Sequence, residues 1–162
     1  MAISEGERLP GATLLSIGEN GPETVELEAK LKGRKVIIFG LPGAFTRTCS
    51  SAHVPSFIRT ADAFRAKQVD EIICVAVNDP FVMHAWGEAT GATAAGITML
   101  GDASAEFTRA LGMTFSAPAS GFFDRSKRYA LCAEDGVVKV LHVEEGRGVC
   151  DTSGGESMLA AI

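Results

Sequence analysis

The sequence has no Cys-x-x-Cys pair and no cysteine–histidine grouping with zinc-site spacing, so neither a structural zinc module nor a vicinal dithiol motif is expected, and no metal is assigned. It also lacks an excess of positive charge. Fifteen Lys and Arg stand against twenty Asp and Glu, a net charge of -5, which disfavours nucleic acid and anionic membrane surfaces as partners. No apolar run approaches the length of a membrane span, and residues 1–10 show no basic segment followed by an apolar stretch. A cytoplasmic location is the expectation. Internal repeats and low-complexity tracts are missing as well, and the glycines are too scattered to mark a second domain.

What is present is an ordinary globular composition, 46% hydrophobic and 22% charged, in 162 residues. That length suits one domain spanning 1–162, and a chain of this size buries roughly 68–70% of its unfolded surface without needing disulfide or metal staples. The four cysteines, Cys49, Cys74, Cys132 and Cys150, are separated by 25, 58 and 18 residues. In a reducing compartment they are expected as free thiols.

Taken in order, two short apolar runs at 12–17 and 25–31 flank a Gly-Glu-Asn-Gly-Pro turn and read as short strands. Residues 36–39 are apolar without alternation, as in a strand covered on both faces, and 72–77 read the same way. Between them, Val54, Phe57, Ile58, Ala61 and Phe64 recur at helical spacing, with Pro55 inside the pattern loosening the turn that begins near Ser51. Asp79 and Pro80 have the residue types of an N-cap and first helical position; Asp102 is read as the cap of a further short helix closed by Gly112. Residues 98–100 form a third strand candidate. Glu134-Asp135-Gly136 joins 129–133 to 137–143 as a hairpin, and Ser153 through Glu156 has capping-box spacing before a terminal helix. Strands alternating with helices and ending in a hairpin plus helix give an α/β fold with a central mixed β-sheet flanked by helices.

The chemistry concentrates at residues 42–49, Pro-Gly-Ala-Phe-Thr-Arg-Thr-Cys, after the first buried strand. A strand ending in a Pro-Gly turn delivers Cys49 to a helix start, where unpaired N–H groups and the helix dipole favour a thiolate. Each residue alone has a simpler reading. A lone cysteine is usually a small buried hydrophobe, a Pro-Gly pair a turn, and Arg128 a solvated edge residue. His53, four residues after Cys49, reads either as the base of a cysteine hydrolase or as a structural histidine with a nearby hydrogen-bond partner.

The pattern Pro42, Thr46, Cys49, extended by His53 and Pro55, resembles the active-site signature of the type II (atypical, class-five-like) peroxiredoxin family, and residues 77–81, Val-Asn-Asp-Pro-Phe, follow at the expected separation. The resemblance runs from about residue 25 to the C-terminus. It implies a thioredoxin-like fold and a thiol peroxidase that reduces hydrogen peroxide and organic hydroperoxides through a cysteine sulfenic acid, without a cofactor. Carried over residue by residue, Cys49 is peroxidatic, Thr46, Thr48 and Arg128 hold the peroxide, and Pro42 covers the pocket. Arg47 departs from the family, which usually has proline or a small residue there. The resemblance also implies a homodimer, with Phe45 and Phe81 in the contact, and glutathione with glutaredoxin, or thioredoxin, as reductant.

Sulfenic acid at Cys49 must next meet a thiol. Cys74 matches the second cysteine of members that resolve internally or with glutathione and is the favoured candidate. Cys150 lies near the C-terminal resolving cysteine of another branch, and an external thiol is the third source. Cys132 is read as structural. A non-catalytic redox sensor built on the same thiol, and the Cys49–His53 hydrolase, are the competing functions.

Overall fold

Residues 36–39 lack polar alternation because successive side chains of their strand enter two different cores. Ile37 and Phe39 point into one, and Val36 and Ile38 into the other, all fully buried. This strand is β3 (Lys35–Gly40) in a computed structural model that describes residues 2–146 and 148–162.

Before it come β1 (Thr13–Gly18), β2 (Gly21–Glu26) and α1 (Leu27–Leu31). After it, a π-helical turn (Cys49–His53) runs into α2 (Val54–Ala66), followed by β4 (Glu71–Ala76), α3 (Pro80–Thr90), β5 (Thr98–Gly101) and α4 (Glu106–Ala110). A hairpin of β6 (Thr114–Ala117) and β7 (Phe122–Ser126) precedes β8 (Tyr129–Glu134), β9 (Val137–Val143) and α5 (Gly155–Ala161). The main sheet has the order β2-β1-β5-β4-β3-β8-β9, and β6 and β7 pair apart from it. Strands β3, β4 and β5 are parallel; β8 runs antiparallel to β3, and β9 to β8. The α/β thioredoxin-like layout with a mixed sheet is therefore the observed one.

The two cores follow from strand alternation. On one face, Phe39, Cys74 and Cys132 pack with Val54, Phe57 and Phe64 of α2, Trp86 of α3 and Met158 of α5; on the other, Ile38, Ile73 and Leu131 pack with Leu27, Leu31 and Phe107. Phe57 stacks on Phe39 at 4.1 Å between ring centroids, which fastens α2 to the central strand.

Several local expectations hold in detail. Asp79 accepts from Val82 N–H at 2.9 Å with Pro80 at the helix start. Asp135 and Gly136 both have positive φ, 50° and 77°, as a two-residue hairpin turn requires. Others are corrected. Residues 25–31 are not one strand: β2 ends at Glu26, and Leu27 and Leu31, four apart, bury one face of a helical turn. Asp102 is not an N-cap, since Ala105 occupies that position, but its carboxylate still accepts from Phe107 N–H and Thr108 N–H. The capping box at Ser153 does not form. Gly154 is the N-cap of α5, and Ser153 donates instead to Glu144. The β6–β7 hairpin has no counterpart in the sequence reading.

Candidate functional site

The site forms where the end of β3, the start of β8 and the end of β9 coincide. Gly40 pairs with Tyr129, and Tyr129 with Val143, so the residues just beyond these pairs, Leu41, Arg128 and Glu144, arrive together. Antiparallel pairing of β8 with β3 thus brings Arg128 to the loop that carries the Pro-Gly motif, 79 residues from Cys49.

That loop is held from several sides. Asn78 Oδ1 accepts from Ala44 N–H at 2.9 Å, and Arg125 Nη1 donates to the Pro42 carbonyl at 3.0 Å. A side chain at Gly43 would meet Arg125 Nη1, so the guanidinium would have to shift from the Pro42 carbonyl to make room. Phe45 is held at φ 64°, a conformation that costs about 1 kcal/mol or more for a residue with a side chain. Thr46 Oγ1 donates to the Gly43 carbonyl at 2.7 Å. Ser50 N–H donates to Thr46 O at 3.0 Å, so Arg47, Thr48 and Cys49 make up the first helical turn.

Val54 N–H closes onto Cys49 O, five residues back, giving the π-helical turn Cys49–His53. Its cause is Pro55, which has no N–H for the Ser51 carbonyl and whose ring would strike it in a regular α-helix. Trp86 Nε1 donates to Ser50 Oγ at 2.9 Å and supports the turn from α3.

Cys49 is completely buried. Arg128 Nη1 lies 3.4 Å from its Sγ and 3.1 Å from His53 Nδ1. Arginine is a donor only, so Nδ1 must accept, and the His53 proton sits on Nε2, which donates to Ser153 O at 3.0 Å. Burial, reinforced by the Arg128 charge and only partly opposed by the Ser153 bond, lowers the His53 pKa to about 3. His53 is thus neutral with both nitrogens engaged, which removes it as the base of a cysteine hydrolase. The structural reading of this histidine holds, though its attachment to Arg128 had no sequence signal.

Pro42, Thr46, Arg47, Thr48, Ser120, Phe122, Arg128 and Gly148 line a pocket of about 290 Å³ above the turn. Arg47 is exposed, and the Thr48 hydroxyl donates to Gly148 O at 3.3 Å. The sequence candidates Pro42, Thr46, Thr48, Cys49 and Arg128 therefore come together; Ser120 and Phe122, from the unforeseen hairpin, join them.

The other cysteines are placed differently. Cys74 is fully buried in β4 beside Phe39; burial raises its thiol pKa well above the ordinary value, nearby Cys49 adds to this and Arg128 opposes it. Cys150 is half-buried in the loop before α5, and burial raises its pKa too, against the Arg128 charge. Cys132 is buried in β8 and packs in the same core as Cys74. No cluster of three metal-binding side chains occurs among the described residues.

Comparison with known proteins places this geometry. The family model described as Redoxin matches residues 4–159. The chain is 48% identical over 164 residues to Peroxiredoxin-2E-2, chloroplastic, of Oryza sativa subsp. japonica, covering 99% of this chain and 72% of that protein. It is 42% identical over 161 residues to Peroxiredoxin-2D of Arabidopsis thaliana, covering 99% and 98%. The crystal structure of reduced Prx3 in complex with H2O2 from Vibrio vulnificus is similar at a TM-score of 0.91 and 44% identity, over 98% of each chain.

The neutral His53 has a consequence for stability. Between its folded value of about 3 and its ordinary value of 6.5 the unfolded chain binds the extra proton, so the His53 contribution is full above pH 6.5 and declines on acidification through that window. The limiting slope is about 1.4 kcal/mol per pH unit. Urea unfolding from pH 7 to 4 should show a steeper loss for wild type than for His53→Gln. Parallel curves would mean that His53 is not buried neutral.

Proposed function

The chain belongs to the type II peroxiredoxins, thiol peroxidases of the oxidoreductase class, and on that premise we propose that Cys49 is its peroxidatic nucleophile and Arg128, Thr46 and the first-turn N–H groups its peroxide site. The observation that carries this is Arg128 Nη1 at 3.4 Å from Cys49 Sγ at a helix start. A fixed guanidinium there holds the sulfur and places positive charge where negative charge develops in the reaction. The thiolate attacks one peroxide oxygen; the S–O bond forms as the O–O bond breaks, and sulfur is oxidised to sulfenic acid. The peroxide is reduced, and the departing oxygen leaves with a proton from solvent as water or alcohol. Arg128 is placed to offset the negative charge on that oxygen. The Thr46 proton is committed to Gly43 O, so its hydroxyl oxygen faces a peroxide as an acceptor, while the Thr48 and Cys49 N–H groups donate. Pro42 limits water.

We further propose Cys74 as the internal resolving thiol, ahead of Cys150. It shares a core face with Cys49, and the π-helical turn is a looser ladder to unwind than an α-helix. Its attack on the sulfenic acid forms a disulfide and releases water, and requires the two Cα atoms to come within about 7 Å. Glutathione with glutaredoxin, or thioredoxin, then reduces the disulfide. Four free thiols suit a cytoplasmic setting, which cell fractionation would test. A homodimer is proposed from Phe45, 59% exposed on the loop before the nucleophile, and Phe81, 63% exposed in the first turn of α3, too much apolar surface to leave in water.

Treatment with one equivalent of peroxide, digestion without reductant and mapping of linked peptides tests the chemistry. A Cys49–Cys74 link is expected, with peroxide turnover lost in Cys49→Ser and kept in Cys132→Ser. A Cys49–Cys150 link would reverse the order of resolving thiols, and a glutathione adduct on Cys49 with Cys74 free would exclude an internal one. Sedimentation tests the dimer: wild type should be dimeric at micromolar concentration and Phe81→Asp monomeric, and a fully active wild-type monomer would refute it.

A further inference from the structure

A buried carboxylate lies directly behind Arg128. Glu144, the residue after β9, is 8% exposed, and its own N–H donates to Arg128 O at 2.9 Å. Its Oε2 accepts three hydrogen bonds, from Asp151 N–H and Ser153 N–H at 2.7 Å each and from Ser153 Oγ at 2.6 Å. Burial pushes this carboxyl up, but the bonds from Ser153 and Asp151 outweigh it and hold the group below its ordinary range, as an ionised acceptor. The three donors fix the chain at 151–153, and with it the direction of the Ser153 carbonyl.

That carbonyl accepts from His53 Nε2 at 3.0 Å. Neutral imidazole carries one proton, and the Ser153 acceptor holds it on Nε2, leaving Nδ1 as the acceptor that faces Arg128 Nη1 at 3.1 Å. With the carbonyl displaced, the buried Nε2–H loses its acceptor, and a ring that turns to find another takes the Nδ1 lone pair away from Arg128. Arg128 Nη1 would then lose an acceptor that helps hold it where it meets Cys49 Sγ.

We propose that Glu144 is a positioning residue for peroxide reduction, fixing the direction of the His53 ring through the Ser153 carbonyl and thereby holding Arg128 on Cys49. The inference rests on the assignment of Cys49 and Arg128 made above. Its reach comes from topology: Glu144 touches the site both through the β8–β9 ladder and through the turn before α5, so it fastens the C-terminal segment to the helix that carries the nucleophile.

The test compares wild type, Glu144→Ala and Glu144→Gln by three measurements. These are single-turnover oxidation of Cys49 by hydrogen peroxide, mass mapping of the oxidised cysteine, and 15N NMR of His53, whose ring shifts report the protonation and hydrogen bonding of Nδ1 and Nε2. Wild type should show the Nε2–H form. Glu144→Ala should move both ring shifts toward those of weaker hydrogen bonds and lose roughly 10- to 100-fold in second-order rate, the scale of one lost charge-assisted hydrogen bond. Glu144→Gln, which keeps an acceptor oxygen, should recover part of both. Should the alanine variant not fold, Glu144→Gln and Ser153→Ala decide by the same readouts, each expected to show a smaller shift in the same direction. Unchanged ring shifts, or changed ring shifts with a rate within twofold of wild type, would overturn the proposal. Mapping keeps the premise separate: if peroxide oxidises a cysteine other than Cys49 in wild type, the site assignment falls and this inference falls with it, whereas Cys49 oxidation at equal rates in all variants removes only the role of Glu144.

Discussion

Arg128 is 3% exposed, and a guanidinium buried at the end of the central strand constrains every group around it. A charge removed from water costs several kcal/mol unless its donors are engaged. Here Nη1 meets the Cys49 sulfur and the lone pair of His53 Nδ1. Burial, reinforced by the same charge, keeps the histidine neutral, and its remaining N–H must find an acceptor, which is Ser153 O. A sulfur able to carry negative charge is the natural counterpart of a cation in this position. The buried arginine and the reactive cysteine are thus two halves of one electrostatic arrangement, and truncating either leaves the other uncompensated.

The helix that presents Cys49 is built to be less than fully regular. Pro55 withdraws one donor, the ladder widens to a π-turn over Cys49–His53, and Trp86 and Phe57 secure its two ends to α3 and β3. Beyond His53, α2 is an ordinary amphipathic helix with Phe57, Ala61 and Phe64 buried. Local unwinding at the nucleophile can therefore occur without loss of the core below it. This division suits a cysteine that must be held rigidly for attack on peroxide and released to meet a second thiol.

Legibility in the sequence tracked the range of the interactions. The buried strands β3 and β4, the Asp79–Pro80 helix start and the Asp135–Gly136 hairpin depend on neighbours a few residues away, and all were readable. Pro42, Thr46 and Cys49 were found because their spacing is local and Arg128 because its family context is specific. What could not be read involves competition over distance. Ser153 has a capping-box partner three residues on in Glu156, yet its hydroxyl and N–H go to the buried Glu144 and Glu156 pairs with Arg59. Leu27 to Leu31 reads as a continued strand until the packing of Leu27 and Leu31 under the sheet decides for a helical turn. The β6–β7 hairpin, with strands of four and five residues around a Pro-Ala-Ser-Gly turn, has too little alternation to register, although it supplies Phe122 to the pocket and Arg125 to the Pro42 carbonyl.

If Arg128 gives Cys49 its reactivity, removing the guanidinium while keeping apolar bulk should disable the site without dismantling the fold. Single-turnover oxidation of Cys49 by hydrogen peroxide in Arg128→Met against wild type measures this directly. A fall in second-order rate of about 10²- to 10³-fold is expected, the scale of losing one preorganised donor to developing negative charge. A folded Arg128→Met protein that reduces peroxide within threefold of the wild-type rate would contradict the account.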